Sequence, residues 1–528
     1  MEAYEKWFAG EEAQGQRQLA ILRLLGLFDR PASKNCLDAL RAEPVIAGLT
    51  EALVGLNPRE HKLALSRLKK INLLSVQDDG SVDCHPLLRE YFATQLRQKQ
   101  PEAWRAAHRR VYEHLCATTQ DLPQPTLEDL QPLYQAVAHG CQAGLQEDAR
   151  AKVFRDRIQR GWEFYSTNKL GAFGSDLGAV ACFFEQPWSR VSPMITEADQ
   201  AWLLAVAAFD LRALGRLTEA LEPMRATMEI NVAKSEWKNA AVCASNLSEL
   251  ELTLGEVAGA VGDAEQSVSH ADRTGDAFQR IGRGTTHADA LHQAGRRVEA
   301  EAHFRKAEAM QAERQPDYPL LYSLLGFQYC DLLLREAERA AWRVICSGGP
   351  RPPEDGDAHG ARLQAVSERA AQTLKWAEAA RKDILSIALD HLTLGRAALY
   401  AAILDASPLD PCHASVRHAV DGLRRAGDQD MLVLGLLTGA WLRFLTGLRT
   451  GPESAHSDLD EVWEIAERGP MKLFMADVHL HRARLFFREA TYPWGIPRHR
   501  PRCRARAHQE MRLRAAQGGA RRRGSGCP

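Results

Sequence analysis

The feature that most constrains the fold is a unit that recurs with a 40-residue step in the region 201–310. Apolar or small residues keep helical spacing on both sides of a glycine in each unit. Glycine adopts left-handed backbone angles without a side-chain penalty, so it can end one helix and turn the chain. We therefore predict two antiparallel helices joined at each glycine. The glycines are Gly215, Gly255 and Gly295, and the alanines that follow five residues later are Ala220, Ala260 and Ala300.

One helix pair cannot bury its apolar stripe alone, whereas stacked pairs can, so the repeat predicts a solenoid without a single globular centre. The run of glycine, alanine, an aromatic residue or methionine, and alanine resembles the second half of a tetratricopeptide repeat. The step exceeds the roughly 34 residues of that repeat, so we expect lengthened helices. The alternative is a plain helical bundle in which the equal spacing is a coincidence.

Composition sets few further limits. The charged fraction is 26% and the apolar fraction 45%, as in ordinary globular proteins. A net charge of −1 gives the whole chain no bias toward nucleic acid or acidic membranes. Eleven cysteines occur without a C-x-x-C pair, which favours reduced thiols and a cytoplasmic location. No uninterrupted apolar run approaches 18 residues and the first residues are polar, so we expect neither a membrane span nor a signal peptide.

Residues 1–100 follow a different pattern. Three short helical stretches, the last at 45–53, precede Asn57, which can cap a helix that Pro58 begins and that runs to about Lys70. Two short apolar segments flank Asp79-Gly80, a tight-turn pair, and predict one β-hairpin. Pro86 then begins a last helix. We predict a small winged-helix domain, so that the fold class is all-α: an α–α superhelix preceded by this domain.

Two segments at the end of this domain, Leu73–Val76 and Val82–Phe92, resemble the end of the winged-helix domain in STAND NTPases, a family of signal-transduction ATPases. In that family a histidine at the start of the last helix contacts the β-phosphate of bound ADP, and His85 occupies that place. A histidine at a helix N-terminus can donate to phosphate, aided by the helix dipole. Pro86 stands where an acidic residue often follows in the family. The alternative is that His85 only caps its helix.

The repeats resemble the C-terminal region of large bacterial STAND proteins in Trp162–Gly174 and Met475–Phe486, and the resemblance covers about residues 19–492. No G-x-x-x-x-G-K-[ST] motif occurs, and Gly171–Gly178, the nearest glycine-rich run, lacks the Lys-Ser/Thr. We expect helix packing there and no enzyme activity. The chain is expected to begin downstream of an ATPase module, as a fragment, a truncated gene product or half of a split system. ADP or ATP would bind only with such a module in cis or in trans.

The resemblance implies that the first helix of each pair lines an inner groove, where a protein or peptide ligand binds. The alternative is that these side chains pack between repeats. The register of the glycines places six residues in the groove: Trp202, Phe209, Arg212, Glu249, Asp289 and His292.

Metal and nucleophile chemistry are not expected. His139 and Cys141, like His479 and His481, are two residues apart and point in different directions on a helix. No nucleophile and base signature stands out in the sequence.

The remaining chain divides into repeats at 101–346 and 361–492, with turns at Gly395 and Gly447, around a predicted disordered loop at 347–360 that is rich in proline, glycine and acid. The tail, 493–528, holds ten arginines and one glutamate. Such a tail could bind nucleic acid, but its lack of periodicity favours a disordered and non-native end.

A DNA-binding regulator is the alternative function, because the third helix of a winged helix can enter DNA. Glu60 lies among the basic residues of that helix, so we expect nucleic acid to be the less favoured partner. The basic residues are Arg59, His61, Lys62, Arg67, Lys69 and Lys70.

Overall fold

The computed structural model describes residues 2–11, 13–347, 356–380, 383–487 and 494. The chain divides into two compact units, Met1–Asp210 and Leu211–Pro528. The predicted boundary at residue 100 falls inside the first unit. The all-α class is confirmed, since the only strands in the described residues form two small hairpins.

The helices up to the end of the first unit are α1 Glu2–Gly10, α2 Ala13–Leu25, α3 Lys34–Arg41, α4 Pro58–Lys70, α5 Pro86–Lys99, α6 Pro101–Thr118, α7 Leu127–Gln142, α8 Gln146–Asp148, α9 Tyr165–Asn168, α10 Phe173–Ala181 and α11 Glu197–Ala213, with a π-helix at Ala149–Ile158 and a 3₁₀ turn at Gly161–Glu163.

The N-terminal helices are followed by a hairpin and a further helix, in the predicted order. Asn57 caps α4, since its Oδ1 accepts hydrogen bonds from the Arg59 and Glu60 amides, both at 3.0 Å. The hairpin pairs β1 (Ser75–Val76) with β2 (Val82–Asp83), and Ala32 bridges to Val82 on the other side. The expected helical piece at 45–53 is mostly turns instead.

A second hairpin, which the sequence analysis did not predict, follows the glycine-rich run. It pairs β3 (Phe184–Gln186) with β4 (Arg190–Val191) through an irregular register. The glycine-rich run itself lies in and before α10, whose Phe173, Asp176 and Leu177 are buried. The run is partly helical, but its glycines do not serve the expected close helix packing, since a β-carbon at Gly174 or Gly178 would meet nothing within 4 Å.

The second unit consists of helices that each pack against their neighbours in sequence, while α13, α15, α17 and α19 also contact one another in succession. These four helices form one layer of the array, and we refer to them as the inner layer. The helices are α12 Leu217–Ala233, α13 Trp237–Leu254, α14 Val257–Thr274, α15 Ala277–Gln293, α16 Arg297–Arg314, α17 Ser323–Ser347, α18 Gly356–Ala379, α19 Ile384–Asp405, α20 Asp410–Ala426, α21 Gln429–Leu445, α22 Ala455–Arg468 and α23 Lys472–Phe486.

The three repeat glycines occupy equivalent turns. Their φ angles are +73°, +85° and +80° at Gly215, Gly255 and Gly295. In each turn the glycine amide and the next amide bond back to the preceding helix, at 2.8–2.9 Å. The alanines five residues later are fully buried. Helices α13 to α16 have 18, 18, 17 and 18 residues, so the lengthened helix pairs of the prediction are confirmed.

Two later glycines behave differently from one another. Gly447 has a φ of +88° and turns the chain after α21, as predicted. Gly395, predicted as a turn, lies inside α19 instead. A β-carbon at Gly395 would be 2.8 Å from Val416 Cγ2, so glycine here allows α20 to approach closely rather than turning the chain.

The last helix pair returns to the start of this unit. Helix α23 contacts α13, α17 and α21 as well as α22. A β-carbon at Gly215 would lie 3.2 Å from Met471 Cε, and one at Gly255 would lie 3.0 Å from Lys472 Cβ. Lys472 Nζ is also 3.2 Å from Glu256 Oε1. Within the second unit, the superhelix therefore closes on its own first turns.

Of the predicted loop at 347–360, residues 348–355 lie outside the described residues, while Ser347 and Gly356–Gly360 belong to α17 and α18. The predicted tail also lies outside them, except Trp494. By length and composition one described helix, α19, could cross a membrane. Its apolar window is 67% buried, because it packs against α17, α18 and α20 as a core helix does.

Candidate functional site

The residues assigned to the groove fall in both units. Trp202 and Phe209 lie in the first unit, where Trp202 has its ring 6.2 Å from that of Phe154 and beneath the guanidinium groups of Arg150 and Arg155. Phe209 is 41% exposed, with its ring 6.0 Å from that of Phe173. Both side chains therefore contact neighbouring helices of the first unit.

Arg212, Glu249, Asp289 and His292 all lie in the second unit. The structure brings Arg212 and Glu249 together, with Arg212 Nη1 2.6 Å from Glu249 Oε2. The other terminal nitrogen of Arg212 is 3.2 Å from Asp430 Oδ2 on α21. All three side chains are largely buried, so this is an internal ion-pair cluster that links helices 218 residues apart in sequence.

Electrostatics within this cluster are strongly coupled. Burial opposes the charged form of Arg212, but Glu249 and Asp430 raise its pKa above the usual value. Arg212 in turn lowers the pKa of Asp430 against the effect of burial. Burial and the neighbouring Asp430 raise the pKa of Asp428 well above its ordinary value. The cluster therefore keeps Arg212 protonated and positively charged at all physiological pH values.

A second cluster centres on Asp331 of α17. Its carboxylate is 3.3 Å from His292 Nε2 and 2.7 Å from Arg396 on α19. Although burial opposes it, Arg396 and His292 lower the pKa of Asp331. Arg396 Nε also donates to the Tyr400 hydroxyl at 3.1 Å. His292, Asp331 and Arg396 thus join three helices of the inner layer, α15, α17 and α19.

Asp289 is close to this cluster without an ion pair of its own in the described residues. Burial raises its pKa to about 7, and His292 partly opposes that rise. Near neutral pH, Asp289 therefore exchanges between a neutral and a charged form, unlike the permanently charged Asp331.

An aromatic stack lies where α17, α21 and α23 meet. The rings of Trp342 and Trp441 are 3.5 Å apart and nearly parallel, and His481 of α23 meets Trp342 edge-on at 5.1 Å. Burial lowers the pKa of His481 to about 4, so it is neutral at pH 7. Through this stack, α23 packs against α17 of the inner layer.

Sequence reasoning missed Asp331, Arg396, Asp430 and the tryptophan stack. The sequence does contain a signal for Asp331, because Glu249 and Asp289 are 40 residues apart and Asp331 follows 42 residues later. The partners on α19 and α21 carry no such signal, because the 40-residue repeat does not extend to them. The structure gives Arg212, Glu249 and His292 internal partners, while ligand binding by these residues stays a prediction.

His85 is exposed and caps α5, with its Nδ1 3.2 Å from the Leu87 amide. Because Nδ1 accepts this hydrogen bond, the neutral ring carries its proton on Nε2, which is the free donor. The cap and the phosphate contact use different nitrogens, so the two interpretations of His85 are compatible.

His139, the first residue of one paired motif, contacts a second histidine. His139 and His108 are both buried, with their Nδ1 atoms 2.7 Å apart. Burial lowers the pKa of His139 to about 4. In the described part of the chain no group of three or more His, Cys, Asp or Glu side chains could hold a metal ion.

Comparison with known proteins gives one structural likeness. No family model matches the chain, and no curated protein matches it. The chain is similar to the crystal structure of a signal-transduction ATPase with numerous domains (STAND) that carries a tetratricopeptide repeat sensor, from Pyrococcus horikoshii. The identity is 14% and the TM-score 0.34, over 92% of this chain and 61% of that chain. The chain thus spans less than two thirds of that protein.

Proposed function

We propose that this chain is the sensor arm of a STAND-type signalling protein and that its repeat unit binds a peptide or protein trigger. The supporting observation is the layer of first helices, in which Glu249, Asp289 and Asp331 come from α13, α15 and α17 in succession. Stacked helices present such side chains in a row, which suits recognition of an extended or helical peptide. Charged groups of the ligand would replace the side chains that now pair with these carboxylates.

The sensor needs a nucleotide switch to act on. The sequence holds no P-loop motif, so the proposal assigns nucleotide hydrolysis to an NTPase module acting in cis or in trans. His85 would contact the β-phosphate of ADP through Nε2, at the N-terminus of α5, where the helix dipole favours an anion. Residues 1–100 would then form the winged-helix connection between switch and sensor.

Asp289 offers the cleanest test of the peptide site, since Asp289→Asn replaces a partly neutral carboxyl by a neutral amide of the same shape. Peptides selected against the purified chain from a display library are measured by calorimetry on both forms. We expect at least fivefold weaker binding to Asp289→Asn and unchanged binding to Asp390→Asn, a buried acid on α19. Equal affinities for all three proteins, or no enriched peptide, would refute the inner-layer site.

Binding of ADP by this chain without an NTPase module is the alternative for His85, and the melting temperature of the chain with ADP tests it. His85→Asn keeps a good N-cap but removes the Nε2 donor, so stability without nucleotide should not change. An ADP-dependent rise in melting temperature that disappears in His85→Asn supports the phosphate contact. A rise that persists in the variant contradicts it.

DNA binding is the second candidate, because the side chains of Arg59, Lys62, Arg67, Lys69 and Lys70 are all exposed on α4. Duplex binding would then weaken steeply with salt and decrease when Arg67, Lys69 and Lys70 are changed to glutamine. Fluorescence anisotropy with a labelled duplex measures both effects. Binding that is insensitive to these changes would exclude α4 as the DNA contact.

A further inference from the structure

An open pocket of about 440 Å³ lies among α12, α13 and α14, away from the two ion-pair clusters described above. Met228 and Leu247 form its apolar wall, and the backbone of Gly259 and Gly262 forms its floor. Three carboxyl groups and one guanidinium line it, from Glu229, Glu251, Asp263 and Arg225. The pocket therefore carries an excess of negative charge.

Glu251 is the buried member of this group. Its side chain is 9% exposed and its Oε1 is 3.1 Å from Nη2 of Arg225, which is itself more than half exposed. The other oxygen, Oε2, is buried and accepts no hydrogen bond from a permanent donor, while the carboxyl of Asp263 can donate to Glu251 when it is protonated. A buried charged oxygen without a permanent donor is costly, so a donor that displaces the half-exposed Arg225 and reaches this carboxylate would gain a strong hydrogen bond.

The glycine floor makes room for that oxygen. A β-carbon at Gly259 would collide with Glu251 Oε2, so only glycine lets the carboxylate lie against α14. A β-carbon at Gly262 would meet nothing within 4 Å, because this position faces the open pocket.

Asp263 adds a second carboxyl group beside the first. Burial and then the charge of Glu251 raise the pKa of Asp263 to about 6, while Arg225 opposes the rise. Its Oδ1 accepts a long hydrogen bond of 3.4 Å from Gln266. The two neighbouring acids therefore repel each other when both are charged, and a cation between them would relieve that repulsion.

We infer that this pocket binds the side chain of an arginine presented by a peptide or protein partner. The inference rests on the proposed function, which it extends to a defined subsite. The planar guanidinium can donate to two carboxylates at once, from Glu251 and Asp263 on different helices. The methylene stem would lie along the apolar wall of Met228 and Leu247.

The test uses N-acetyl-arginine methylamide as the probe and N-acetyl-citrulline methylamide as its neutral isostere. The methyl group of Met228, labelled with ¹³C in the full chain and assigned by Met228→Leu, reports binding by NMR. We expect a saturable shift with the arginine compound and at least tenfold weaker binding of the citrulline compound. Equal binding of the two compounds, or no shift with either, would overturn the inference.

Variants separate recognition from folding. Gly262→Leu fills the pocket, leaves both acids in place and favours the helix, so it should abolish the shift without loss of stability. Glu251→Gln and Asp263→Asn should each weaken binding at least fivefold, whereas Glu265→Gln, an exposed acid on the same helix, should not. Undiminished binding by Gly262→Leu would place the probe elsewhere and refute the site.

The failure of this subsite can be told apart from failure of the proposed function. If peptides selected by the chain bind Gly262→Leu as well as the native chain, and the arginine compound does not bind, the subsite is wrong while the sensor proposal stands. If the arginine compound binds as expected but no peptide is ever enriched, the pocket stands and the sensor proposal falls.

Discussion

Replacing Arg212 tests the closure of the repeat unit quantitatively. Its guanidinium lies 2.6 Å from Glu249 and 3.2 Å from Asp430, and the three side chains are 9%, 13% and 2% exposed. Arg212→Met keeps much of the side-chain volume but leaves two buried carboxylates without their cation. Removing one partner of a buried ion pair costs about 3–5 kcal/mol. We expect a loss of that size in the free energy of unfolding.

The matched control is Arg216→Met, four residues further on. Arg216 pairs with Glu219 at the surface, where both side chains are more than 40% exposed. Such surface pairs contribute about 0–1 kcal/mol. Urea denaturation followed by far-UV circular dichroism measures both variants. A loss below about 1 kcal/mol for Arg212→Met, equal to that of the control, would refute the buried cluster as a structural link.

A partial rescue follows from the same reasoning. In Arg212→Met combined with Asp430→Leu, one orphaned carboxylate is removed with the cation. The double variant should therefore be less destabilised than the sum of the two single variants, by roughly 1–3 kcal/mol. Simple additivity in this cycle would contradict a direct interaction between the two residues.

Three further predictions concern single sites. Burial raises the pKa of Asp390 to about 7, so the stability that its neutral form contributes is present below pH 3.8 and is lost as pH rises through 7. Asp390→Asn should therefore gain about 2–4 kcal/mol relative to the native chain between pH 4 and 8, as urea titrations at several pH values can show. Gly255→Ala, at a φ of +85°, should cost about 1–2 kcal/mol, whereas Gly262→Ala should be neutral or stabilising, as thermal melts can show. Burial lowers the pKa of His139 to about 4, so between pH 6.5 and 4 the unfolded state binds a proton that the folded state does not. The free energy of unfolding therefore decreases as the pH is lowered through this range. His139→Gln should reduce the decrease between pH 7 and pH 5 by about 2 kcal/mol.

The periodic part of the fold was predictable because it depends on local chemistry. A glycine that must adopt positive φ and an alanine that must fit between close helices recur at each step, and Gly215 and Ala220 behave as their equivalents do. The helix start at Asn57 was predictable for the same reason, since capping involves residues only three apart.

The remaining features depend on contacts that no local pattern specifies. Gly395 has the same residue type as a turn glycine, and only the approach of Val416 from the next helix shows that it serves packing. The pairing of Arg212 with Asp430 spans 218 residues, so its partner could not be read from a 40-residue repeat. The 40-residue register therefore identified the helices that carry Arg212, Glu249 and Asp289, but not the internal partners of Arg212 and Glu249.

The closure of the superhelix by α23 is the central structural claim, and a zero-length carbodiimide cross-link tests it most directly. Lys472 Nζ lies 3.2 Å from Glu256 Oε1, although the two residues are 216 apart in sequence. Mass spectrometry of the digested monomer should find an amide between these side chains, alongside the local pair Lys152 and Asp148, whose charged atoms are 2.9 Å apart. Recovery of the local cross-link without the one between Lys472 and Glu256 would show that α23 does not dock on the first turns of the repeat unit.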